Sequence, residues 1–177
     1  MSSFNDFLGL HGQLDALFLE HQRGLIRLDL DTAEAALDEY AGALLAHMRD
    51  EEEFMLPLYG ERVTPPVGGT VEIFLSDHVK LKRFLELFKE EIAKIRGMED
   101  IERGVLFLID SQHLFKRLLV HHDNRESKML YPLLDQVTSE SEREELFAKL
   151  ERPYEWDSTK IDNHSQRESS FASAGSS

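Results

Sequence analysis

The 177-residue chain contains no cysteine. That single absence removes disulfide frameworks, zinc-thiolate and iron-sulfur sites and thiol nucleophiles, and leaves His, Asp and Glu as the metal donors. Positive charge is scarce as well. The 20 Lys and Arg stand against 34 Asp and Glu, a formal net charge of -14, which is the wrong sign for a phosphate backbone or an anionic membrane surface. No 18-residue uncharged apolar stretch occurs, and the opening Met-Ser-Ser-Phe-Asn-Asp has no basic segment or signal-like apolar run. Neither nucleic acid nor membrane is expected as a partner, and the cytoplasm is the expected location. A chain of this length buries a core without a metal staple, so a metal here would serve function more than folding.

What is present is helical periodicity, with almost no strand-like alternation. Phe7, Leu14, Leu17, Phe18, Leu25 and Leu28 recur at helical intervals and predict a first helix from about Phe4 to Asp29. Asp31 with Glu34 has the spacing of a capping box and predicts the start of a second helix through Tyr40, Leu44, His47, Glu51 and Phe54. Pro65-Pro66 and Gly68-Gly69 break the pattern and mark the central connection. A third helix is predicted over Val71 to Arg96, ended by Gly97 in a left-handed conformation, and a fourth from about Asp100 to Asp135. Ser139 with Glu142, or Ser141 with Glu144, predicts a short fifth helix ending before Pro153. The expected class is all-α: an antiparallel up-down four-helix bundle over residues 1–136, a short additional helix over 137–152 and a polar tail over 153–177. An exposed apolar stripe on the fifth helix would favour a dimer.

Polar residues that project into such a bundle are the candidates for function. His47 and Glu51 lie four apart among Tyr40, Leu44, Phe54 and Met55, and His122 and Glu126 repeat that spacing among Phe115, Leu119 and Met129. Pro57 and Pro132 follow the two glutamates at the same distance. His21 and His78 also have apolar neighbours three, four and seven residues away. His11 rivals His21, but His21 is preferred because it shares the acidic-His context of His78 and because it lies nearer the level of the other ligands if the second helix folds back after Asp31. Buried together, two carboxylates and four imidazoles would be costly as unpaired charges, and a shared cation removes the conflict. The expected ligands are His21, His47, Glu51, His78, His122 and Glu126. Six nitrogen and oxygen donors exceed one zinc; two carboxylates bridging two ions, with two imidazoles capping each, make a dinuclear site for iron, manganese or zinc. Tyr40 and Lys82 are placed as possible outer partners of the site, while Glu52 and Glu53 are expected in solvent. The competing reading is an interaction module whose His and Glu residues form a buried network without an obligatory metal.

One His on the first helix, His-x-x-x-Glu then Pro, a further His, and again His-x-x-x-Glu then Pro: this order resembles the hemerythrin-like, or HHE cation-binding, domain over roughly Leu10 to Asp135. The resemblance implies a four-helix bundle around a non-heme di-iron centre with an oxo or hydroxo bridge, Glu51 and Glu126 spanning both irons. It also implies a small ligand such as oxygen, peroxide or nitric oxide, or a role in handling or sensing iron. Oxygen-carrying members have His-x-x-x-His on the third helix and an Asp on the fourth. Here Lys82 stands in the place of the second of those histidines, and Glu126 in that of the Asp, which points away from simple reversible oxygen carriage.

Overall fold

Apolar residues at three- and four-residue intervals do build helices in the computed structural model, which describes residues 3–150. A 3₁₀ turn over Phe4–Phe7, capped by Ser3, leads into α1 (Leu8–Ile26), so the first helix starts later than its apolar pattern suggests. Then come α2 (Leu30–Asp50), α3 (Leu56–Arg62), α4 (Val71–Ile95), α5 (Ile101–Arg125), α6 (Tyr131–Val137) and α7 (Glu140–Phe147). No strand occurs among the described residues, and none of their helices is long and apolar enough to cross a membrane. The expected polar tail lies outside the described residues. Helix α1 packs on α2, α2 on α4, α4 on α5, and α5 back on α1. This closed ring is the expected four-helix bundle.

Local chemistry sets the turns, in places differently from expectation. Asp29, not Asp31, caps α2 by accepting from the Thr32 amide at 3.1 Å, while Asp31 and Glu34 both pair with Arg96. The α1–α2 turn is closed by Leu28 at φ 58, a left-handed position that costs a residue with a Cβ. Gly24 lets the hairpin close, since a Cβ there would lie 2.7 Å from the Ala33 nitrogen. Positive φ falls on Leu28 and Gly68 and not on Gly97. Ser139 and Glu142 form the expected capping box of α7. Phe147 then packs on Phe4 and Phe7 at ring-centroid distances of 5.1 and 5.7 Å. The apolar side of this helix thus covers the N-terminal turn and is not left as a stripe to favour a dimer.

Pro57 and Pro132 act where their chemistry requires. A proline inside an α-helix lacks a donor, and its ring meets the carbonyl four residues earlier. Just before Pro57 and Pro132 the helix widens into single π turns, Glu51–Met55 and Glu126–Leu130. The Glu51 carbonyl accepts from the Leu56 amide, and the Glu126 carbonyl from Tyr131. The extra residue rotates the next turns of the helix by about 100°. Leu56, Tyr59, Tyr131 and Leu134 therefore turn inward, while Phe54, Leu58 and Met129 are only half-buried.

The core divides into two apolar blocks. One surrounds Phe18, Leu37, Tyr40, Leu85, Phe88 and Phe115; the other surrounds Phe4, Met55, Tyr59, Phe74, Leu130 and Tyr131. Helix α4 runs from one block into the other, while α1, α2 and α5 lie in the first and reach the second through the 3₁₀ or π turns at their ends; a polar layer lies at the crossing.

Candidate metal centre

The polar layer is built from all four long helices. His11 comes from α1, between Phe7 and Leu14; His47 and Glu51 from the end of α2; His78 from α4, between Phe74 and Leu81; His122 and Glu126 from the end of α5. The four-residue spacing stacks each His over its Glu, one turn apart on the same face. His47, Glu51, His78, His122 and Glu126 are all buried, and His11 is partly so.

Their side-chain tips converge. Glu126 Oε1 lies 2.7 Å from His122 Nε2 and 3.9 Å from His47 Nε2, and its Oε2 lies 2.9 Å from His11 Nε2. Glu51 Oε2 lies 3.1 Å from His78 Nε2 and 4.0 Å from His122 Nε2, and its Oε1 lies 3.8 Å from His47 Nε2. Tyr131 donates to Glu51 Oε1 at 3.0 Å and fixes that carboxyl. His122 Nε2 and both Glu126 oxygens approach their neighbours without forming a hydrogen bond, although the residues are fully buried. Buried polar groups are normally hydrogen-bonded. Lone pairs converging on a common point, without hydrogen-bond angles, are what a cation site presents. The donors fall into two sets, Glu51-His78-His122-Glu126 and His11-His47-Glu126, and within each set the ligand atoms lie within 4.8 Å of one another. Imidazole and carboxylate donors without thiolate suit a first-row metal.

Protonation is set by burial and crowding. Desolvation lowers His47 to about 3 and, with the charge of His122, His78 to about 4, so both rings are neutral at neutral pH. Burial and the neighbouring Glu126 push Glu51 well above the carboxylate range, so that it holds a proton and donates to His78 Nε2. Burial also opposes the charged form of Glu126, but the surrounding imidazoles, His122 foremost, outweigh it and hold this carboxyl well below its usual range. Binding a metal would replace the proton on Glu51.

His21, the expected ligand on the first helix, is elsewhere. Its Nδ1 donates to the Ala33 carbonyl at 2.8 Å, and its Nε2 accepts from Gln112 Nε2 at 2.8 Å, with Gln22 donating in turn to Gln112. Both ring nitrogens are spent, and burial lowers its pKa. The level of His21 is that of Ala33, four helical turns or roughly 20 Å before His47 along α2. His11 is level with His47, its Nε2 3.4 Å away. Tyr40 packs on Phe18 and Phe115 in the apolar block and makes no hydrogen bond to the cluster; the tyrosine that does is Tyr131. Lys82 does not enter the pocket; it reaches Glu52 at 2.8 Å. Glu52 is not left to solvent, because its Oε1 accepts from His78 Nδ1 at 2.9 Å.

One side of the centre opens to the surface. A recess of about 180 Å³ between α1 and α5 is lined by Leu8, His11, Val120, Asp123, Asn124 and Ser127. His11 and Asp123 also line an inner space of about 10 Å³ that reaches His47 and His122. Burial, against the opposing pull of His11, raises Asp123 to about 6.

Comparison with known proteins adds one finding. No curated protein and no solved structure matches the chain, but the family model described as "Hemerythrin HHE cation binding domain" matches residues 4–134, from the N-terminal turn to α6 and across every residue of the cluster. A helical bundle with a buried His and Glu layer at its centre, matched by that model over most of its length, places the chain in the hemerythrin HHE cation-binding family.

Proposed function

We propose that the cluster binds two iron ions, and that the protein binds or reacts with a small ligand such as oxygen, peroxide or nitric oxide, or uses the same centre to sense or handle iron. The observation that carries this reading is the pair of donor sets sharing Glu126. His11 and His47 would hold one ion with Glu51 Oε1 and Glu126 Oε2; His78 and His122 would hold the other with Glu51 Oε2 and Glu126 Oε1. Both glutamates would then be shared by the two ions, with an oxo or hydroxo group expected between them. This donor set differs from the sequence expectation by one exchange, His11 for His21.

Four imidazoles and two bridging carboxylates supply eight protein donor atoms, four for each ion, which leaves room for exogenous ligands. An iron pair supplies redox equivalents and Lewis acidity toward small oxidants. The protein does the rest. Tyr131 orients Glu51, the two apolar blocks exclude bulk water, and the inner space of about 10 Å³ has room for roughly one water-sized molecule. Neutral His47 and His78 are ready to coordinate at neutral pH without first losing a proton.

The test is optical. Protein loaded anaerobically with ferrous iron and then exposed to air should develop near-ultraviolet and visible absorption from a bridged ferric pair. Azide or nitric oxide should perturb the loaded protein's spectrum, and Glu126→Ala should abolish it. A colourless protein, indifferent to chelators after reconstitution, would instead support a helical interaction module with a buried His and Glu network.

A further inference from the structure

Behind the imidazoles of one half of the centre stands a second layer of charge. Glu52 Oε1 accepts from His78 Nδ1 at 2.9 Å and from Lys82 Nζ at 2.8 Å. The first bond holds His78 in the tautomer whose Nε2 lone pair faces Glu51. Beside it, Asp77 Oδ2 lies 3.9 Å from His122 Nδ1, too far for a hydrogen bond, and is paired with Arg125. Both ligands of this half therefore have a carboxylate behind them, and each carboxylate has its own cation. The other half is built differently. His47 Nδ1, like His122 Nδ1, is buried with no hydrogen-bond partner, but here no carboxylate is paired behind the ring as Glu52 is behind His78, and the carboxylates on that side, Asp15 and Asp123, border the access space beside His11.

A carboxylate bonded to the far nitrogen of a ligating imidazole fixes the ring's tautomer and orientation and raises its basicity. Resting on the two-ion reading above, we propose that Glu52, held by Lys82, is a positioning residue that sets the affinity of the ion at His78 and His122 alone, and so makes the two ions inequivalent. Glu52 is suited to this because it comes from the first turn of the π segment that also carries Glu51. The same short stretch thus gives one carboxylate to the metals and the next to the ring behind one of them. Lys82 is anchored on α4 one turn after His78, so the imidazole and the ammonium meet the same oxygen from one helix face.

The experiment is an anaerobic calorimetric titration of the full chain with ferrous iron. The wild type should take up two ions, and Glu52→Gln should weaken one of the two binding steps by about 10- to 100-fold while the other stays within about twofold. Backgrounds that remove one half assign the step. In His11→Ala the remaining step should still respond to Glu52→Gln, whereas in His78→Ala it should not. Lys82→Met, at a half-exposed position, should shift only the step that Glu52→Gln shifts. Equal weakening of both steps, or of neither, overturns the proposal. Uptake of one ion or none by the wild type would refute the two-ion reading itself, a different result in the same titration.

Discussion

Replacing His11 and His21 separately by alanine distinguishes ligation from packing on a single helix. Loss of His21 leaves the Gln112 amide buried without its partner, at a cost of about 1–3 kcal/mol, while the Ala33 carbonyl keeps its bond within the helix. His21→Ala is therefore expected to melt several degrees lower and to keep its full metal complement. His11→Ala should show the reverse, a small change in melting and the loss of about one ion per chain by elemental analysis. Unchanged metal content in His11→Ala would remove this residue from the centre. Glu126 belongs to both donor sets, so Glu126→Gln is predicted to lose both ions. These are differences between single side chains in one core, and burial alone does not forecast them: His21, His47 and Glu126 are all almost wholly inaccessible. What separates them is whether the lone pairs are already engaged.

At the scale of the helix and its ends, two devices are open to measurement. Leu28 holds a left-handed backbone at the α1–α2 turn and is 41% exposed, so glycine there relieves strain and forfeits little packing. Leu28→Gly is expected to stabilise the fold by about 1 kcal/mol, or roughly 2–4 °C in melting temperature for a chain of this size; a lower melting temperature would show that Leu28 contributes more by packing than it costs in backbone strain. Glu142 is held at about 2 by the Ser139 amide, Arg62 and the Ser139 hydroxyl. A carboxyl with a depressed folded-state pKa contributes stability above its unfolded value. That contribution is lost as pH falls from about 4.5 to about 2. Carbon-detected titration of the Glu142 carboxyl should find a midpoint near 2, and a midpoint near 4.5 would show the capping box of α7 to be unformed.

The same scale explains what the sequence disclosed. Three- and four-residue periodicity carried the bundle and the two His-x-x-x-Glu pairs, because those depend on one turn of regular helix. Tyr131 and the half-burial of Met129 were hidden because a π turn shifts the face by one residue, and only Pro132 hinted at it. Glu52 was hidden since its partner His78 lies on another helix. His11 could have been found by level. On each long helix the ligand falls between the two apolar blocks, as Phe7, His11 and Leu14 do, whereas His21 sits wholly inside one block, between Phe18 and Leu25.

For the molecule as a whole, the centre lies where all four long helices bring polar side chains together, so metal binding and bundle stability are linked. Ions that bind the folded chain and not the unfolded one stabilise it by mass action, about 2.7 kcal/mol for each site at 100 times its dissociation constant. Loaded protein should melt well above chelated protein, and Glu126→Gln should erase the difference. Proton release belongs to the same linkage. Glu51 carries a proton in the metal-free site, its pKa being raised by burial and by Glu126, so loading at neutral pH should release protons and affinity should fall as the solution is acidified. Calorimetry in two buffers of different ionisation enthalpy reads that release directly, and identical heats in both would contradict it. The most direct test of the dinuclear centre is the metal content of the full chain, purified without chelator and again after anaerobic ferrous reconstitution, by inductively coupled plasma mass spectrometry scanning iron, manganese and zinc. Near two irons per chain is the predicted result; no bound metal after reconstitution, or saturation at a single ion, would contradict it.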